Sequence, residues 1–334
     1  MSYLRHVTTI NMSPSSKPIQ PSRWPLDGGS IDLLDKRLSA PVFALLIGPI
    51  PEMLLSLPGC FFGMPAFHVL GPTLVACSLG GHCATTASAP ALAALAAVTL
   101  GLLAAWASVH SPVGGPRFRR LYMPQTMLAA PVVGSALAHW VAGADDGAVA
   151  AGSLYLLLWF AGIFAILPLK AVSRRRRPVA SEVEHSGAAV AQATSRKVLL
   201  AIPYMLKAGD PNSSFPSGDV GGAVAFAYPL IRCGVSSAAG ATWSLLLPAV
   251  GVLCVVVSAF GRMYWQLHHL MDVCCGALCS VVTCVLVDAA MGATAAQHGA
   301  TTVYWHPAAM LVVLFVYVKL TGFAEAAPVK TVKD

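Results

Sequence analysis

From residue 40 onward, long apolar stretches alternate with short polar joints. Runs at 90–110, 122–143, 149–171, 216–235, 242–260, 266–290 and 303–322 each supply about the 20 residues that carry an α-helix across a hydrocarbon core. The pattern predicts an all-α fold, a polytopic transmembrane helical bundle. The stretch 40–82 is also apolar, but Pro51, Pro58, Pro65 and Pro72 interrupt it. It fits either two short spans or a re-entrant pair. Residues 1–38 are polar and rich in Ser and Pro, with no charged-then-apolar signal pattern, and are expected to form a disordered arm. The connection 179–215 is polar except for Val198–Leu206, which is too short to cross and is expected to lie on the membrane surface.

Composition supports the bilayer as solvent. Of 334 residues, 56% are apolar and 10% charged, and the mean hydropathy is +0.70. Soluble domains carry about 25% charged residues, so the chain is expected to be a multi-pass integral membrane protein. The net charge of +7 is concentrated in Arg174–Arg177 and in Arg117, Arg119 and Arg120. Both blocks abut apolar segments and lack interleaved aromatics, which argues against nucleic acid and for membrane flanks or anion binding. The positive-inside rule would put these arginines in the cytoplasm, but a catalytic cation is no topology signal. The nine cysteines form no C-x-x-C pair, and most lie in apolar runs. No disulfide framework or zinc site is expected from them.

The chemistry concentrates at helix ends. His268 and Asp272 are four apart, so on a helix the carboxylate can reach the ring, fix its tautomer and leave the other nitrogen free to attack. His269 would then point towards Val273 without such a partner. Arg262 precedes this pair, where a guanidinium can clamp phosphoryl oxygens. Lys170 and Arg177 are seven apart, two helical turns, and Pro178 would end that helix. Pro216-Ser217-Gly218 opens the next span, where exposed N–H groups and the helix dipole make an anion seat. Each piece also has a plainer reading: a basic membrane flank, an N-cap serine, an interfacial Arg and His. With the spans as drawn, all three pieces fall on one side of the membrane.

The series K-x6-RP, PSG, GR-x5-H-x3-D over residues 170–272 resembles the type 2 phosphatidic acid phosphatase superfamily of lipid phosphate phosphatases, which share their active site with vanadium haloperoxidases. The resemblance implies a six-helix phosphatase core over 90–290, flanked by the apolar segment 39–89, a further transmembrane helix within 291–322 and a tail at 323–334. It implies that Lys170, Arg177, Ser217, the Gly218 amide and Arg262 bind phosphate, that His268 is the nucleophile and that Asp272 orients it. No metal or other cofactor is expected. The implied partners are the bilayer and a lipid phosphate or diphosphate, in an endomembrane such as the endoplasmic reticulum or in the plasma membrane.

Two positions depart from the family pattern. Gly261 replaces a serine, a small change. Asp219 stands where the family has a histidine, the general acid for the leaving oxygen. A carboxyl beside cations and a helix N-terminus favours its ionised form and would be a poor acid. Either the leaving group needs little protonation, as a diphosphate's does, or a group such as Asp219 itself in the phosphate complex, His269 or His185 supplies the proton, or hydrolysis has given way to transfer or binding. The alternatives to a phosphatase are therefore a lipid phosphotransferase and a non-catalytic binder of anionic lipid.

Overall fold

The computed structural model describes residues 29–46, 54–55, 61–80, 88–109, 129–141, 146–178, 214–236, 240–265 and 267–298. Among them the chain is all-helical. In order the helices are α1 (Ser30–Leu45), α2 (Pro65–Gly80), α3 (Ala89–Val109), α4 (Ala129–Val141), α5 (Asp146–Ser173), α6 (Gly218–Ser236), α7 (Gly240–Tyr264) and α8 (Leu270–His298). The expected span 303–322, the Arg117–Arg120 loop, His185 and the Val198–Leu206 insert lie outside the described residues.

The centre of the bundle is α6. Gly221, Gly222, Ala223, Ala225 and Ala227 let neighbouring backbones come close, and α5, α7, α8 and α2 pack around it. Its core contacts run from Phe226 and Leu230 to Phe62, Phe67 and Tyr155 on one flank, and from Val224 and Ala225 to Leu158, Trp159 and Phe160 on the other.

Among the described residues, three segments are long and apolar enough to cross a membrane: Leu154–Ser173, Ser244–Tyr264 and Leu270–Met291. The last two turn Leu245, Leu253, Leu278 and Leu286 outward. Apolar surface costs about 25 cal/mol per Å² in water and essentially nothing in hydrocarbon. Within the apolar run at 122–143 the described residues 129–141 form the helix Ala129–Val141. The boundary expected at residue 38 falls inside α1, so residues 30–38 are not part of a disordered arm. The reason lies in partners remote in sequence: Asp32, Asp35 and Ser39 are buried against the loops that carry the motifs.

Candidate active site

The first motif is not presented on one helical face. α5 ends at Ser173, and Arg174 takes a positive φ of 45°, its N–H donating to Lys170 O at 3.2 Å. That left-handed residue turns the chain out of the helix, ahead of the stop expected at Pro178. Lys170 therefore rides on the last helical turn, and Arg177 returns to the site along the irregular segment 174–178. Its Nη1 donates to Leu267 O at 3.2 Å, which ties it to the loop before α8.

Stitches to that segment hold the second motif. Ser214 N donates to Arg175 O at 3.0 Å and Ser173 Oγ to Phe215 O at 3.0 Å. Ser217 precedes α6, which begins at Gly218, and its N–H donates to Asp272 O at 2.9 Å. Gly276 of α8 makes this approach possible, because a Cβ there would lie 2.5 Å from Ser217 O. The Ser217 hydroxyl is buried with no hydrogen-bond partner, so it is not a plain N-cap. An orphaned buried hydroxyl at a helix N-terminus is a donor waiting for an acceptor. Lys170 lies alongside: a Cβ on Gly218 would sit 3.8 Å from Lys170 Cε.

The third motif departs from the expected geometry. Arg262 sits on the last turn of α7, but His268 lies ahead of α8 and is not on a helix. Its Nδ1 is 3.9 Å from Asp272 Oδ2, beyond hydrogen-bonding distance. The Asp272 oxygens are already engaged. Oδ1 accepts from Arg175 Nη1 at 2.6 Å, and Oδ2 accepts from Ser214 Oγ and, at 2.8 Å, from His269 N. The last contact is half of a capping box, with Asp272 three residues into the helix reaching back to the N-cap backbone. His269 was expected to face away, yet its Nδ1 lies 3.5 Å from Asp272 Oδ2, closer than that of His268.

His268 is 1% exposed. Burial first, then Arg177, Arg262 and Lys170, hold its imidazole well below the ordinary histidine range, with the Ser214 backbone opposing. The ring is thus kept neutral, the form with a lone pair to donate.

Asp219 pairs with one of the expected phosphate ligands. Its Oδ2 lies 2.9 Å from Arg262 Nη2, with side-chain exposures of 18% and 8% respectively. The turn before α2 closes over it, and a Cβ on Gly63 would overlap Asp219 Oδ1. The carboxylate thus occupies a guanidinium edge suited to a phosphoryl oxygen.

Sequence reasoning missed Arg175, Ser214, Asp32, Asp35 and Ser39. Arg175 was hidden in a run of four arginines that looks like a membrane flank; it is buried, whereas Arg176 is exposed. Burial pulls its pKa down, but Asp272, Asp35 and Asp32 more than offset this and raise it above the ordinary value. The spacing Asp32, Asp35, Ser39 was a visible signal, since residues three and seven apart share a helix face.

Residues 150–294 match the family model of the PAP2 superfamily, the family that the three motifs resemble. The matched region runs from residue 150 in α5 to residue 294 in α8 and contains every expected site residue. No curated protein and no solved structure gives a match. The match and the three long apolar helices mark a membrane protein of the phosphatase type.

Proposed function

We propose that the chain hydrolyses a lipid-linked phosphate or diphosphate through a phosphohistidine on His268, without a metal. The observation that carries this is the buried His268, with Arg177 tied to the carbonyl of the preceding Leu267 and with Arg262 and Lys170 also acting on its ring, together with the orphaned Ser217 hydroxyl at the start of α6. Three cations can hold the phosphoryl oxygens while charge shifts in transfer. A His268 nitrogen attacks phosphorus, and the bond to the leaving oxygen breaks with its electron pair going to that oxygen. Water then attacks phosphorus, the P–N bond returns its pair to the imidazole, and inorganic phosphate leaves.

The Asp219–Arg262 pair favours diphosphates over monophosphates. The carboxylate oxygen is engaged with the guanidinium at 2.9 Å, so it is taken up in that pair instead of being placed to hand a proton to a leaving oxygen. A diphosphate departs as a phosphate ester and needs less protonation than an alkoxide.

The test is phosphate release by detergent-purified protein in EDTA, wild type beside His268→Ala, on dioleoyl phosphatidic acid and on farnesyl diphosphate. The expected result is release that His268→Ala abolishes, faster on the diphosphate. Release that survives His268→Ala, or no release from folded wild type, overturns the proposal.

A further inference from the structure

Helix α1 has its polarity inside out. Ile31, Leu33, Leu34 and Leu38 are exposed, whereas Asp32, Asp35 and Ser39 are buried. Such a helix is misplaced in water and well placed between hydrocarbon and a polar site. Its inward face meets the loop that carries His268. Asp35 Oδ1 accepts from Met271 N at 2.8 Å, and Ser39 Oγ accepts from Leu270 N at 2.8 Å. Those are the first N–H groups of α8, which the helix cannot satisfy itself. Neither His268 nor His269 carries the hydroxyl or carboxylate of a good N-cap, so another helix supplies the acceptors.

The same face anchors the carboxylate behind His268. Arg175 Nη2 reaches Asp32 Oδ1 at 2.9 Å and Asp35 Oδ2 at 2.6 Å, while its Nη1 holds Asp272 Oδ1 at 2.6 Å. A chain of paired charges thus runs from α1 through Arg175 to the first turn of α8. It fixes the helix that begins two residues after His268.

We infer that α1 is a positioning element for the nucleophile, acting through Asp35, Ser39, Asp32 and Arg175. The inference rests on His268 being the nucleophile of the proposed phosphatase. It extends the catalytic unit beyond the matched region 150–294, because α1 lies outside it. A displacement of about 1 Å in a reacting group can cost about 10²-fold in rate. Loosening α1 should therefore act on turnover, not on phosphate binding, since none of its residues belongs to the proposed phosphate seat.

The experiment uses the full chain in detergent micelles with dioleoyl phosphatidic acid and farnesyl diphosphate as probes, with rates normalised to folded protein. Asp35→Asn keeps an oxygen for Met271 N but weakens the hold on Arg175, and Ser39→Ala removes the acceptor for Leu270 N. The double variant is expected to lose about ten- to a hundredfold in kcat with KM within about twofold. Ser39→Thr, which retains the hydroxyl, should restore most of the loss of Ser39→Ala. A purely structural role would lower the melting temperature and leave kcat per folded molecule unchanged, and that outcome overturns the inference while leaving the phosphatase intact. Wild type without His268-dependent release overturns both. Should the double variant not fold, the two single variants decide by the same split of kcat from KM.

Discussion

The two aspartates of the candidate site, Asp272 and Asp219, are held in opposite ways. Asp272, fully buried, accepts from Arg175, Ser214 and the His269 backbone, and Arg175 is itself locked by Asp32 and Asp35. Asp219, 18% exposed, rests on Arg262 alone among its described ion pairs, under the Gly63 turn. A buried charge cluster costs much to break because each partner left behind is desolvated. The Asp219–Arg262 pair, with side chains 18% and 8% exposed, is less enclosed, so water reaches its open side and breaking it costs less. The rear of the site is thus built to stay fixed, and the front can exchange a carboxylate for a phosphate.

The largest expected effect breaks the rear. Arg175→Met leaves Asp32, Asp35 and Asp272 without their shared cation and should destabilise the fold by about 3–5 kcal/mol. Thermal unfolding in detergent reads this directly. Adding Asp35→Asn to that variant removes one uncompensated charge and should recover part of the loss. An Arg175→Met protein that melts like wild type would erase the contrast between the two aspartates.

A smaller effect is expected at the front. Asp219→Asn releases Arg262 and removes a negative charge from the seat, so inhibition by inorganic phosphate should tighten about three- to tenfold. Unfolding should hardly change. Asp219→His sharpens the same point by supplying a proton donor. It should raise turnover on phosphatidic acid at least about tenfold more than on farnesyl diphosphate. Equal gains on both substrates would show that Asp219 does not set the preference.

The contrast also marks what the sequence could and could not disclose. The motif series of Lys170, Arg177, Ser217, Arg262 and His268 was legible as a pattern, and the apolar runs of α5, α7 and α8 announced long helices. The His268–Asp272 hydrogen bond was mistaken because a four-residue spacing implies a helix, whereas α8 starts after His268. Arg175 was invisible among its neighbours, since it is buried only because carboxylates about 140 residues away await it. Non-local pairing of that kind leaves no periodic trace. The polar face of α1 did leave one, but it lay in a segment whose composition suggested disorder.

The smallest effect concerns the His268 ring. Burial and the cations Arg177, Arg262 and Lys170 depress the His268 pKa, while Asp219, Asp272, Arg175 and His269 stand around the same loop. In the proposed mechanism neutral imidazole is the nucleophile, so kcat/KM should hold below the ordinary histidine value of about 6.5 and fall only as pH drops through the depressed one. Stability follows the same sign: the unfolded chain takes up this proton first, so the contribution present above the ordinary value is lost as pH falls below it. Arg177→Gln removes a cation that opposes protonation, and the acid limb should therefore move to higher pH. Wild type and variant compared on one substrate cancel the titration of the phosphate itself. A limb that stays put would mean that Arg177 acts on the phosphate alone, and a shift to lower pH would contradict the assigned field.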